Sequence, residues 1–203
     1  MKGLVSMRNL LAIALLALST SLTGCISYSQ KQLAPVEAWP PLAASQPQAP
    51  AAKQTAYVRL NSIYQFNGEQ RAGGPNLTHF EKTVVESFQQ SERFSRVTSE
   101  KEESDVYAYT TLKNNEQGNL FAAVITGATL YVIPSTFDNT LTLETTFKDR
   151  DGKLIGKVTK SETITTWMQV LFIFAVPFNA KGEDVIRNLS QSTVEEAIKR
   201  KLI

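Results

Sequence analysis

Cysteine and histidine are almost missing from this chain: 203 residues contain one of each, Cys25 and His79. A single cysteine cannot close an internal disulfide, and no Cys/His set with zinc spacing can be assembled. No G-x-S-x-G elbow, S-x-x-K nucleophile site, dinucleotide-binding glycine motif or phosphate loop occurs. No apolar run reaches the about 20 residues that a helix needs to cross a bilayer. Charge is nearly balanced, with 21 basic and 19 acidic side chains. That leaves no electrostatic footprint for nucleic acid and no polybasic patch for anionic lipid. The expectation is a protein that is not an enzyme and needs neither metal nor cofactor.

What is present begins at the start of the chain. Lys2 and Arg8 precede the apolar run Leu10 to Leu18, and Ser19, Thr20 and Ser21 end it. A charged start, a short apolar stretch and a small-residue exit mark a secretory signal peptide, here residues 1–24. Removing it removes Lys2 and Arg8 and leaves 19 basic against 19 acidic side chains.

The exit reads Leu22-Thr23-Gly24-Cys25. It resembles the lipobox of bacterial lipoproteins. The resemblance implies a thioether-linked diacylglycerol on Cys25, cleavage before it and acylation of the new amine. One acyl chain alone binds a membrane only marginally, whereas two or three hold it stably. The residue after the cysteine is Ile26. In Gram-negative members an Asp there keeps the protein in the inner membrane, so the resemblance implies the outer membrane, with the domain facing the periplasm and surface exposure left open.

Residues 25–55 carry prolines 35, 40, 41, 47 and 50 among Ala, Gln and Ser. Proline blocks helix and sheet, and the composition offers little to offset ordering entropy. A disordered tether is expected, averaging about 30 Å end to end. Trp39 and Leu42 are its apolar residues of note and read as an incidental pair or a short docking motif.

Residues 56–203 read as one domain. Tyr57–Tyr64 is rich in β-branched and aromatic residues and predicts a strand. Gly68–Pro75 reads as a loop. Thr78 and Glu81 form a capping box before Phe80, Val84, Val85 and Phe88, which predicts a helix to about Arg93 with Thr78 as N-cap. Short strands follow near Phe94–Thr98 and at Val106–Leu112. Leu141, Leu143, Thr145 and Phe147 alternate with polar residues, and Asp149-Arg150-Asp151-Gly152 is a hairpin turn leading to a strand from Leu154 to Thr166. Gly182–Lys201 carries acids at its start and bases at its end, as a helix prefers. This order predicts an α+β two-layer sandwich: a mixed or antiparallel sheet with helices on one face.

Three polar clusters carry ordinary readings. His79 stands in a first helical turn, where surface placement is the default. Asp149-x-Asp151-Gly152 lacks the glycine spacing and bidentate Glu of a calcium loop. Glu102, Glu103 and Asp105 read as a solvated acidic loop.

Two segments are anomalous: Leu120 to Pro134 and Trp167 to Pro177, neither with a charged residue. Periodicity cannot separate helix from strand in such runs. The leading expectation is core: they cover the sheet, and Phe172→Ala then costs about 3–5 kcal/mol. The alternatives are a membrane-surface contact, or a site for lipid or another apolar ligand across 120–134 and 167–178. Phe121, Tyr131, Trp167, Phe172 and Phe174 are its candidate contacts.

The strand at Tyr57, the S-E-R-F-S-R-V helix exit, the strand S-D-V-Y-A-Y-T and the hairpin around K-D-R-D-G-K resemble the α/β domains of envelope-assembly lipoproteins. These are the curli-secretion lipoprotein, the N-terminal domain of the Tol-system propeller protein and the lipoprotein activator of a peptidoglycan synthase. The resemblance implies a non-catalytic envelope accessory protein that binds a protein partner, and it carries no functional residue across.

Overall fold

The computed structural model describes residues 24–36, 38–41, 53–73 and 77–203. The signal segment expected through Thr23 and linker residues 42–52, Leu42 included, lie outside the described residues. Eleven elements follow in order: β1 (Cys25–Ser29), β2 (Thr55–Phe66), β3 (Glu69–Gln70), α1 (Leu77–Gln90), β4 (Arg96–Thr98), β5 (Val106–Gly118), α2 (Leu120–Ala128), β6 (Ser135–Asp149), β7 (Leu154–Met168), a 3₁₀ segment (Val170–Phe178) and α3 (Gly182–Lys199). The seven strands form one sheet in the order β1-β7-β6-β5-β2-β3, with β4 also on β2. β2 runs parallel to β4 and β5 and antiparallel to β3, so the sheet is mixed and the class is α+β.

The chain divides into a larger unit (residues 29–118, 138–165 and 180–203) and a smaller one whose described residues are 24–28, 119–137 and 166–179. The division falls within β1, β6 and β7.

The larger unit follows the period-two patterning that its strands advertise. Ala56, Val58 and Leu60 of β2, Val106, Ala108 and Leu112 of β5, and Leu141, Leu143 and Phe147 of β6 are buried. Alternation of this kind gives a strand one buried face. α1 buries Thr83, Val84, Ser87 and Phe88, and it packs on β2 and on α3. α3 contributes Val185, Ile186, Leu189, Val194 and Ala197. The Phe88 ring lies 6.2 Å from Phe94 and 6.3 Å from Phe147, at the centre of this core. Two buried hydroxyls within it, Thr110 and Thr145, satisfy each other at 3.0 Å.

Three expectations change. The Gly68–Pro75 loop instead begins with a hairpin: Asn67 (φ 49°) and Gly68 (φ 82°) turn β2 into β3. A two-residue loop with both φ positive is the turn that Asn-Gly favours. α1 starts at Leu77, so Thr78 stands inside the first turn rather than at the cap. Glu81 serves tertiary structure there, with Oε1 accepting from Leu60 N at 3.2 Å and lying 3.6 Å from the Arg59 guanidinium.

The largest change concerns the tether. Its first part is sheet: β1 begins at Cys25 itself. The following residues are fixed by Glu162 of β7, which is 3% exposed. Its Oε1 accepts from Ser29 Oγ at 2.7 Å and Gln32 N at 3.4 Å, and its Oε2 from Leu33 N at 2.7 Å. Gln30 Nε2 donates to Thr165 Oγ1 at 2.8 Å, and Thr163 Oγ1 donates to Gln32 Oε1 at 3.1 Å. Leu33 and Trp39 pack against the core, so Trp39 is a structural contact. Composition misses this because the partners lie about 130 residues away in sequence.

Glu162 is therefore a buried acceptor for several donors. Glu162→Ala should destabilise the protein by about 1–3 kcal/mol, the cost of leaving buried donors unmatched. Glu162→Gln should recover only part of that, because its amide NH₂ cannot accept. Denaturant melts of the two variants check this: a Gln variant as stable as the native chain would refute the clasp.

A second polar clasp closes the other end of the sheet. Asp105 Oδ2 accepts from Thr55 N and Oγ1, both at 2.9 Å, and Oδ1 accepts from Arg150 at 2.6 Å. The bonds from Thr55, then the Arg150 guanidinium, hold the carboxyl below its ordinary value of 3.8. A folded-state pKa below the unfolded one stabilises above the unfolded value and loses that contribution as pH falls through the folded one. Asp105→Asn should accordingly flatten the acid limb of the stability–pH profile below about pH 4. An unchanged limb would contradict the assignment.

Candidate lipid anchor and apolar surface

The smaller unit is unusual in composition before any geometry is considered. None of its described residues is Asp, Glu, Lys, Arg or His. Its side chains are aliphatic, aromatic or small and neutral.

Cys25 belongs to this unit and opens β1. Partial burial pushes its thiol above the ordinary value of 9.0. The backbone around it is held on both sides. Asn179 Nδ2 donates to Cys25 O at 3.0 Å, while Ser27 N donates to Asn179 Oδ1 at 2.9 Å. Gln169 N donates to Gly24 O at 2.9 Å, and the Ser27 and Thr166 hydroxyls meet at 2.8 Å. The candidate modification site is thus part of a folded strand.

The first apolar segment becomes a helix and a turn that leads into β6. Asn119 caps α2 by accepting from Ala122 N at 3.1 Å. α2 is inside out. Leu120, Phe121 and Val124 face solvent, whereas its buried residue is Thr126, whose hydroxyl donates to Ala122 O at 2.9 Å. Leu130 (φ 50°) and Tyr131 (φ 62°) then adopt left-handed backbone in succession, which bulky residues rarely do. Tyr131 N donating to Thr126 O at 2.8 Å and Leu130 N to Gly127 O at 3.1 Å hold that turn. It presents Leu130, Val132 and Ile133 outward. The second apolar segment ends β7 and continues as the 3₁₀ segment, tied to the turn by Val170 N donating to Tyr131 O at 2.9 Å. Leu171, Phe174 and Phe178 are exposed on it.

The expectation that these segments form core is overturned. Phe121 is 73% exposed, Phe174 86% and Phe178 81%, and Trp167 is also exposed. Tyr131 and Phe172 are half-buried. The structure gathers all five candidate contacts and Cys25 into one unit. It adds Leu120, Val124, Leu130, Val132, Ile133, Leu171, Phe178 and Tyr28 to the exposed apolar set. The sequence signal that groups them is the absence of charge from 120–134 and 167–177.

The polar clusters take structural roles. His79 Nε2 lies 3.1 Å from Glu183 on the surface. Glu102 pairs with Arg96 at 3.0 Å and Asp105 with Arg150, so their carboxylates do not form a joint site. Asp149 Oδ1 accepts from Asp151 N at 3.0 Å and Lys153 N at 2.9 Å, which makes it the brace of the β6–β7 turn. Among the described residues, no three of His, Cys, Asp and Glu are grouped to hold a metal ion.

No family model matches the chain, and no curated protein matches it in sequence. Among solved structures it is similar to a neuraminyllactose-binding hemagglutinin homolog from Helicobacter pylori, at 13% identity and a TM-score of 0.41, over 79% of this chain and 88% of that one. A second crystal structure, of an uncharacterized protein, is similar at 13% identity and a TM-score of 0.33, over 77% of this chain and 96% of that one. Likenesses this loose carry no functional argument.

Proposed function

We propose that the chain is a lipid-anchored, non-catalytic accessory protein of the bacterial cell envelope. It is held at the outer membrane through Cys25 and binds a partner protein in the periplasm. The observation that carries this reading is the motif Leu22-Thr23-Gly24-Cys25 running into β1: the lipobox cysteine is the first residue of a folded strand in a unit whose described residues carry no charge. The larger unit holds the charged side chains of the described fold and is the part suited to specific recognition of a protein.

Cells producing the full chain in labelled palmitate test the anchor: a labelled band that partitions into detergent is expected, and an unlabelled band would overturn it. Cross-linking in the same cells tests the partner. A discrete adduct is expected. A labelled chain that never cross-links would remove the partner and leave the anchor standing.

A further inference from the structure

We infer that the exposed apolar side chains of the smaller unit insert into the interfacial layer of the membrane that holds Cys25, making the bilayer a direct partner of the polypeptide as well as of its acyl chains. The inference rests on the anchor reading for its choice of occupant and goes beyond it.

Four observations on different parts of the unit agree. α2 turns Leu120, Phe121 and Val124 outward and its threonine inward, the reverse of a helix folded for water. The turn after it and the 3₁₀ segment add Leu130, Val132, Leu171, Phe174 and Phe178. Scattered apolar residues on a surface need no explanation, but a concentration of this kind marks a contact. Secondly, no described residue of the unit is charged, so none carries the largest cost of transfer out of water, that of an ionised side chain. Thirdly, Tyr28 and Trp167 are exposed and Tyr131 half-buried, and such rings, apolar with one polar tip, favour the headgroup level. Fourthly, the anchor is continuous with the surface. Cys25 is bonded through its own carbonyl to Asn179, which also accepts from Ser27 N, so no slack chain separates the acyl chains from the fold.

The geometry also selects between occupants. A protein partner or a second copy is normally fixed by a polar rim, with arginine enriched at the contact. The described residues of this unit supply no charge for such a rim, whereas a bilayer requires none. No described helix is long and apolar enough to cross a membrane, so the contact is interfacial. It should be indifferent to lipid charge and to salt, because there is no charge to screen.

Trp39 and Trp167 are the two tryptophans. The test uses the full lipidated chain carrying Trp39→Phe, which leaves Trp167 as sole emitter. It is reconstituted in neutral phosphatidylcholine vesicles with acyl chains brominated near the headgroup. Insertion about 5–10 Å into the headgroup boundary should quench Trp167 roughly threefold against unbrominated vesicles. The quenching should persist at about 1 M salt, where the screening length is about 3 Å. Adding Phe121→Asp and Phe174→Asp should restore the emission with the fatty-acid label on Cys25 unchanged. The native chain, whose Trp39 packs on the core, should show partial quenching and controls for any fault of the Trp39 variant.

Unquenched Trp167 in vesicles holding labelled protein would overturn the inference, and so would quenching that survives both Asp substitutions. A native chain that is dimeric and unquenched, and that the Asp substitutions render monomeric, would assign the surface to a second copy and equally overturn it. If the chain carries no fatty acid, the anchor reading fails by itself. The unlipidated chain added to the same vesicles then still decides: quenching supports insertion, and none refutes it.

Discussion

Phe147→Ala should lower the stability of the protein by about 3–5 kcal/mol, the cost of removing a large aromatic side chain from a close-packed core. Phe147 is fully buried on β6 and its ring lies 6.3 Å from that of Phe88, which is stacked on Phe94 at 6.2 Å. The three rings join β6, α1 and the chain before β4, so a cavity at Phe147 removes contacts from several elements at once. Phe174→Ala is the matched control. Phe174 is 86% exposed, and its replacement should change the stability by no more than about 0.5 kcal/mol. Phe172, half-buried, should fall between them. Urea melts of the three variants check the whole series. A Phe174→Ala variant as damaged as Phe147→Ala would restore the two apolar segments to the core.

Cys25→Ala should have the largest effect on location. The lipidated form gains about 0.8 kcal/mol for each acyl CH₂ it buries, and two or three chains make that attachment stable. Without the thiol no thioether forms, and the acyl chains are lost together. The variant should show no fatty-acid label, and its share in the detergent phase should fall at least about tenfold. The fold should be unaffected, because the contacts that hold β1 there run through the Cys25 carbonyl, Ser27 and Asn179 rather than through sulfur. Near-native melting with unlabelled protein separates loss of the anchor from loss of structure. Label retained in the variant would refute Cys25 as the site.

The sheet and helices of the larger unit were legible because each element repeats one simple period. Leu141, Leu143, Thr145 and Phe147 alternate as a half-buried strand must, and Val84 and Phe88 recur as a helical face must. The Asn67-Gly68 pair is equally a hairpin signal, although the glycines and proline that follow it through Pro75 have the composition of one loop. β1 was not legible. Its neighbourhood is proline- and glutamine-rich, and the ordering comes from Glu162, Thr163 and Thr165 far along the chain. The apolar segments failed for a different reason. Burial of apolar residues is a rule about water as the only solvent, and 120–134 and 167–178 expose Phe121, Leu130 and Phe174 instead. Their lack of charge was visible from the start. Their direction depends on α2 placing Thr126 inward, which a run of small and apolar residues does not announce. The five candidate contacts thus group in the structure as in the sequence, exposed or half-buried rather than in the core.

The intact mass of the mature protein, purified in detergent from membranes, tests the anchor most directly. The expected species begins at Cys25 and carries a thioether-linked diacylglycerol with an acylated amine. A chain that retains residues 1–24, or one that begins at Cys25 with a free thiol, would contradict it.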